Sequence, residues 1–161
     1  RIVIANAGTN LDRRSVEDSV PGDFAETLKV NVIGVYNTVK AAIPLLKEGG
    51  GHIVLVGSGQ GLRGQKNGAA YACSKAGVHS LTQVLSLELK PYSIAVNEFI
   101  PGPVKTELSR PLWENKAGVF ALEDEWIKNP EDTGAILMAL LSYPPDRCPS
   151  GQTYSLARRV L

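Results

Sequence analysis

The sequence predicts an α/β fold in which helices cover both faces of a parallel sheet. Three observations predict it: short apolar runs that end at glycine or proline, long segments with apolar residues at three- and four-residue steps, and alternation of these two kinds of segment along the chain. Strands buried on both faces are expected to be continuous apolar runs. The 161 residues contain no internal repeat and no low-complexity linker, so one domain, residues 1–161, is expected.

Four apolar segments are predicted to form the strands. Residues 1–5 end at a turn, and residues 53–56 lead into a glycine-rich loop. Residues 94–100 end at Pro101, which cannot donate a hydrogen bond to a sheet. Residues 151–156 are predicted to contain a short last strand.

Three longer segments are predicted to be helices. Residues 23–47 carry one apolar stripe, which the three glycines at 49–51 end. A second long helix is predicted over residues 69–89, and a third over 130–141, where a proline and two acidic residues open the first turn. The glycine-, serine- and glutamine-rich residues 57–68 are predicted to be a loop.

Composition excludes several classes of protein. The net charge is +1 with no long basic or acidic run, which argues against a nucleic-acid or anionic-membrane partner. No apolar stretch is long enough to span a bilayer. The two cysteines, Cys73 and Cys148, suggest neither a disulfide framework nor a metal site, so we predict a reducing, cytoplasmic location.

The most informative local feature is the pair Tyr71 and Lys75. Residues four apart lie one turn above each other on a helix, and an ammonium beside a phenol favours the phenolate. We therefore expect a lowered pKa for Tyr71, which would make it a proton donor and acceptor near neutral pH. Taken alone, the spacing is more often that of two surface residues.

Two further polar residues stand out by position. Ser58 follows a buried strand at the carboxyl edge of the predicted sheet, where open α/β sheets bind ligands. An ordinary polar loop is an equal alternative for it. Asn31 lies in the middle of the long apolar helix, so it is either a solvent-facing residue or a buried amide that needs hydrogen-bond partners.

Together these features resemble the short-chain dehydrogenase/reductase family in its shorter, non-extended branch. The order and separation of the matching residues carry the resemblance: Ser58 precedes Tyr71 by thirteen positions and Asn31 precedes it by forty. The resemblance implies the C-terminal portion of a Rossmann-like, doubly wound parallel sheet. The matching residues are Asn6-Ala7-Gly8, Asn31, Ser58, the segment from Tyr71 to Lys75, Asn97, and the segment from Pro101 to Thr106.

The resemblance also implies a role for each catalytic position. Tyr71 would be the general acid of carbonyl reduction and the base of the reverse reaction. Lys75 would hold the nicotinamide ribose and lower the pKa of Tyr71. Ser58 would orient the substrate oxygen, and Asn31 would position a water in a proton relay that ends at Lys75.

The implied cofactor is NAD or NADP, with no metal. Asn6, Ala7 and Gly8 would shape the floor beneath it, while Pro101, Gly102, Val104 and Thr106 would contact its nicotinamide end. The family's glycine-rich phosphate loop is not in this sequence, and neither is the strand end that selects NAD or NADP. We therefore expect the sequence to be a fragment of a longer enzyme, with its first strand at an uncovered sheet edge.

The expected function is interconversion of an alcohol and a ketone or aldehyde, with an unspecified small-molecule substrate. A scaffold protein that has lost turnover and a related epimerase or dehydratase are the alternatives. By the same resemblance, residues 108–126 would form a substrate lid, with Trp113 either a wall of the site or a packing residue. Helices 23–47 and 69–89 would pair with a second subunit, and residues 151–161 could add a contact. From the sequence alone, both helices could equally bury their apolar faces only on their own sheet.

Overall fold

A computed structural model of the protein describes residues 1–110 and 126–157. Its four strands form one sheet in the order β1-β2-β3-β4, and every pair is parallel. This confirms the predicted parallel sheet. The strands are β1 (Ile2–Ala5), β2 (Gly51–Val56), β3 (Ile94–Ile100) and β4 (Thr153–Ser155).

The predicted helices are present, and two of them have the expected bounds. These two are α4 (Ala69–Leu89) and α5 (Pro130–Leu141). The segment predicted as one α-helix over residues 23–47 begins two residues earlier. It consists of α1 (Pro21–Leu28), a π-helical turn (Lys29–Gly34) and α2 (Val35–Lys47). A π-helical turn holds one more residue per turn and often marks a functional position.

The prediction of a plain loop over residues 57–68 is wrong. The short helix α3 (Gly59–Arg63) lies within it. Ser58 caps this helix, because its hydroxyl oxygen accepts a hydrogen bond from the backbone N–H of Gln60 at 3.3 Å. Glycine-rich segments have low helix propensity, so the cap and the packing of α3 on α4 stabilise a helix that periodicity did not indicate.

Helices pack on both faces of the sheet, as a doubly wound fold requires. Alternate residues of a strand point to opposite faces, so Ile53 and Leu55 join one apolar cluster and Val54 joins the other. The first cluster contains residues of α2 and α4, and the second contains Leu141 of α5. β1 pairs with β2 alone among the residues that the structure describes, and Ile2 and Ile4 are 49% and 42% exposed.

Two kinds of feature are absent from the described residues. Over residues 1–110 and 126–157, no helix has both the length and the apolar character needed to cross a membrane. In the same ranges, no three His, Cys, Asp or Glu side chains form a group that could hold a metal ion.

The close contact of α3 with α4 makes Gly61 sensitive to substitution. A Cβ atom on Gly61 would lie 2.5 Å from the Lys75 carbonyl carbon and 2.7 Å from the Ala76 nitrogen, both backbone atoms. We expect Gly61→Ala to lower the free energy of unfolding by about 1–3 kcal/mol, because helix backbones must separate. Denaturant unfolding would measure this.

Gly134 provides the matched control for that substitution. It lies inside α5, and a Cβ there meets nothing within 4 Å. Gly134→Ala should therefore raise the free energy of unfolding by about 0.5–1 kcal/mol through helix propensity. Equal stability of the two variants would contradict the close packing of α3 on α4.

Candidate active site

An open cavity of about 1160 Å³ lies at the carboxyl ends of β1, β2 and β3. In open α/β sheets ligands bind at this edge. Every site residue that the sequence predicted, except Asn31, lines the cavity. Those residues are Asn6, Ala7, Gly8, Ser58, Tyr71, Lys75, Pro101, Gly102, Val104 and Thr106.

Tyr71 lies in the first turn of α4 and is half-buried. Burial raises the pKa of its phenol above the usual value of 10.0, and the Ser58 hydroxyl and the Arg13 charge only partly oppose this rise. The expected lowering by Lys75 is therefore not found. The reason is that a phenolate loses its hydration in the buried site, and this loss exceeds the effects of both neighbours. The phenol is protonated at neutral pH.

Lys75 lies one turn further along α4 and is only 4% exposed. Its ammonium donates a hydrogen bond to the carbonyl oxygen of Val56, the last residue of β2, at 2.8 Å. The Nζ atom is 5.6 Å from the centre of the Tyr71 ring. Burial lowers the pKa of Lys75 from 10.5 to about 8, although the negative charge of Glu98 opposes the shift.

Asn31 lies in the π-helical turn and is fully buried, which excludes the solvent-facing alternative. Its amide nitrogen donates to the Thr9 carbonyl oxygen at 2.8 Å and to the Ser74 hydroxyl at 2.9 Å. Its amide oxygen accepts from the Thr9 nitrogen at 2.7 Å. Asn31 thus connects the loop after β1 to α4, in which Ser74 directly precedes Lys75. Sequence reasoning missed both partners, Thr9 and Ser74.

Gly8 lies where Asn31 and Lys75 approach the cavity. A Cβ atom on Gly8 would be 3.3 Å from the Asn31 amide oxygen and 3.7 Å from Lys75 Nζ. Both polar atoms therefore face the same small space. A side chain at position 8 would crowd that space, which gives a physical reason for glycine there.

The segment after β3 is held by backbone pairing. Lys105 N donates to Lys128 O at 2.9 Å, and Lys128 N donates to Pro103 O at 3.0 Å. Gly102 has a φ of +67°, a conformation that favours glycine. Upstream in β3, Asn97 donates to the carbonyl oxygen of Pro149 at 2.8 Å, which joins the strand to the segment before β4. These contacts fix the third wall of the cavity.

Glu98 is a buried charged residue that sequence reasoning did not single out. It lies in β3 with no exposed surface, and its Oε2 atom is 2.8 Å from both His79 Nδ1 and Thr153 Oγ1. A Cβ atom on Gly57 would lie 1.8 Å from the other carboxylate oxygen, Oε1. The signal in the sequence was an acidic residue inside an apolar strand.

Parts of two other predictions lie outside the described residues. These are Trp113, with most of the predicted lid at 108–126, and the last four residues of the predicted subunit contact at 151–161. Trp126 is described and is 40% exposed.

A parallel, doubly wound sheet with a cavity at its carboxyl edge places the chain in the Rossmann-like class of α/β folds. The family model described as short chain dehydrogenase matches residues 1–117. The chain belongs to the short chain dehydrogenase family.

Curated relatives agree with this assignment. Over 111 residues, 69% of this chain and 42% of the relative, the chain is 40% identical to trans-4-hydroxycyclohexanecarboxylate dehydrogenase of Sinomonas cyclohexanicum. It is 34% identical to a short-chain dehydrogenase/reductase of Armillaria gallica over 170 residues, 96% of this chain and 63% of the relative. With 42% and 63% of their lengths covered, the chain spans roughly half the length of such relatives.

Two solved structures with the same fold contain a nicotinamide cofactor. NAD⁺-bound xylitol dehydrogenase matches with a TM-score of 0.80 and 26% identity, over 97% of this chain and 67% of that one. The 3-ketoacyl-(acyl-carrier-protein) reductase from Brucella melitensis, complexed with NADH, matches with a TM-score of 0.82 and 27% identity, over 96% and 64% of the two chains.

Proposed function

We propose that the protein is an NAD(P)-dependent oxidoreductase that interconverts an alcohol and a ketone or aldehyde. The observation that carries the proposal is the placement of Tyr71, Ser58 and Lys75 around one cavity at the carboxyl edge of the sheet. The phenol is protonated at neutral pH, as a general acid of carbonyl reduction must be, and the Ser58 hydroxyl and the Arg13 charge both act to lower its pKa towards the working range.

Each catalytic side chain has a proposed task. Tyr71 gives its proton to the substrate oxygen, and Ser58 donates a second hydrogen bond that orients this oxygen. Lys75 supplies positive charge and a hydrogen-bond donor beside Tyr71. Asn31 positions a water next to Lys75. This role is supported by the approach of the Asn31 amide oxygen and of Lys75 Nζ to the same space beside Gly8.

The cavity fits a nicotinamide nucleotide. Its volume of about 1160 Å³ exceeds the needs of a small substrate alone. Lys75 and the residues that follow β1 and β3 would hold the nicotinamide end, with Asn6, Ala7 and Gly8 on one side and Pro101, Gly102, Val104 and Thr106 on the other. When bound, this cofactor supplies the hydride.

The natural full-length protein should be titrated with NADH and with NADPH, following nicotinamide fluorescence, and assayed for carbonyl reduction. Since one relative is named for trans-4-hydroxycyclohexanecarboxylate, 4-oxocyclohexanecarboxylate is a suitable first ketone. We expect binding of at least one cofactor and its stoichiometric oxidation as alcohol forms. Binding without turnover of any ketone or aldehyde would favour the scaffold alternative, and product without net cofactor oxidation would favour an epimerase or dehydratase.

We also propose a homo-oligomer, a dimer or tetramer. Several large apolar side chains on the helices are exposed, among them Ile33 at 54% and Leu87 at 76%. Leu87→Asp should shift the protein to monomers in sedimentation velocity, because a carboxylate would enter an apolar contact. Val16→Asp is the control, since Val16 is 73% exposed but lies in a loop. A wild-type monomer would refute the proposal.

The proposed location is the cytoplasm. Both cysteines that the chain contains, Cys73 and Cys148, are free thiols in the structure, and Cys73 is exposed. A reducing compartment keeps such a thiol reduced. Cell fractionation tests this location, and recovery with membranes or in the culture medium would contradict it.

A further inference from the structure

The charged side chains that line the cavity are positive wherever the structure describes them. Among the described lining residues there are four Lys or Arg side chains and no Asp or Glu. The whole chain is nearly balanced, with 17 Lys and Arg against 16 Asp and Glu, so overall basicity does not explain this bias. The four cations are Arg13, Arg63, Lys66 and Lys75.

Arg13 is the cation best placed to contact a substrate. It is half-buried in the loop after β1, and one guanidinium nitrogen donates to the Leu108 carbonyl oxygen at 2.9 Å. Its positive charge lowers the pKa of Tyr71, so the guanidinium lies within electrostatic reach of the reacting phenol.

The neighbouring residue Arg14 differs from Arg13 because carboxylates neutralise its charge. Arg14 forms ion pairs with Asp12 at 2.8 Å and with Asp23 at 3.0 Å. Arg13 forms no ion pair with a carboxylate of residues 1–110 or 126–157. The positive charge of Arg13 is therefore not neutralised by the described part of the fold.

Arg63 and Lys66 add positive potential on the same side. Both are exposed and lie on the segment that connects Ser58 to Tyr71. Neither pairs with a carboxylate in the described ranges. A cleft lined by one sign of charge concentrates ligands of the opposite sign.

We infer that the substrate is an alcohol or ketone that bears a carboxylate, with its reacting oxygen at Tyr71 and Ser58 and its carboxylate at Arg13. This inference rests on the proposed function. A guanidinium binds a carboxylate through two parallel hydrogen bonds, which fixes the orientation of the substrate. Arg63 and Lys66 attract the anion at the entrance, and Arg13 binds it.

The test compares a charged ketone with a neutral analogue that has the same reacting centre. The pair is 4-oxocyclohexanecarboxylate and its methyl ester, reduced by the natural full-length protein. We expect kcat/KM to be about tenfold to a hundredfold higher for the acid, as a hydrogen-bonded charge pair implies. Added salt should lower kcat/KM for the acid more than for the ester, because salt screens the entrance charges.

Variants then show which residue causes the acid-to-ester ratio of kcat/KM. Arg13→Gln should reduce the acid-to-ester ratio to near one, and Arg13→Lys should retain part of it. Arg147→Gln is the control: Arg147 is exposed and is not among the lining residues, so the ratio should be unchanged.

Titration of Arg13→Gln with NADH and NADPH shows whether Arg13 binds a substrate carboxylate or a cofactor phosphate. Selective loss of NADPH affinity would assign Arg13 to the phosphate and overturn the inference.

The outcomes for the inference and for the proposed function are distinct. Equal reduction of acid and ester by the wild type overturns the inference while the oxidoreductase remains. A ratio that survives both Arg13→Gln and the double variant Arg63→Gln/Lys66→Gln also overturns it. No reduction of any ketone or aldehyde by a folded protein that binds cofactor overturns the proposed function itself.

Discussion

Tyr71→Phe is expected to lower kcat for carbonyl reduction by about 10²- to 10⁴-fold, the usual contribution of a positioned general acid. The change removes one hydroxyl and leaves the ring, so packing in the first turn of α4 should persist. The KM of the ketone and the dissociation constant of the cofactor should change far less than kcat, because the lost proton transfer occurs in the transition state. Steady-state kinetics and nicotinamide fluorescence measure the three quantities.

A second tyrosine gives the control for this experiment. Tyr143 is 61% exposed and is not among the residues that line the cavity. Tyr143→Phe should leave kcat within twofold of the wild type. If Tyr71→Phe behaves like Tyr143→Phe, another group supplies the proton and the assignment of the acid is wrong.

Lys75→Met is expected to abolish most activity and, at neutral pH, to stabilise the fold. The lysine pKa falls from 10.5 in water to about 8 in the folded protein because the ammonium is buried. A shift of that size corresponds to about 3 kcal/mol of unfavourable burial when the ammonium is charged in both states. Methionine has a similar length and no charge, so it removes this cost, while the hydrogen bond to the Val56 carbonyl is lost.

The pH dependence of that stability difference has a definite sign. Below pH 8 the lysine is protonated in both states, so the cost is fully present. Between pH 8 and 10.5 the unfolded chain holds more protons than the folded one, so the wild type gains stability as the pH rises. The advantage of Lys75→Met should therefore narrow over this window. Denaturant unfolding of both proteins at pH 7 and at higher pH measures it.

An exposed lysine separates this effect from the general titration of the protein. Lys90 is exposed, at the end of α4. Lys90→Met should leave the free energy of unfolding nearly unchanged relative to the wild type at every pH. If the advantage of Lys75→Met over the wild type in unfolding free energy is the same at pH 7 as at pH 10, or smaller at pH 7, the buried ammonium does not destabilise the fold.

Much of the fold followed from local pattern. Helices 69–89 and 130–141 and strand 94–100 were predicted with the bounds that the structure has, because apolar periodicity, proline and glycine mark their ends. The π-helical turn around Asn31 was not predictable from the apolar stripe, since α- and π-helical turns place apolar residues at similar spacings. Helix α3 was missed because it depends on the Ser58 cap and on contact with α4 rather than on propensity.

The sequence predicted which residues would lie together at the sheet edge, but it did not predict the electrostatics of those residues. Tyr71, Lys75 and Ser58 could be named from spacing and from the family resemblance, and the cavity brings them together. The direction of the Tyr71 pKa shift could not be predicted, because it depends on how much protein surrounds the ring. Sequence reasoning also did not single out Arg13 and Glu98, because their hydrogen-bond partners are distant in sequence.

The contact between Gly57 and Glu98 makes substitutions at these two positions depend on each other. The carboxylate of Glu98 fills the space that a side chain at position 57 would need, at a distance of 1.8 Å from the added carbon. A larger residue at 57 therefore requires the Glu98 side chain to move or to be replaced by a smaller one. Libraries that vary one of these positions at a time would discard combinations that are acceptable together, so the two codons should be randomised as a pair.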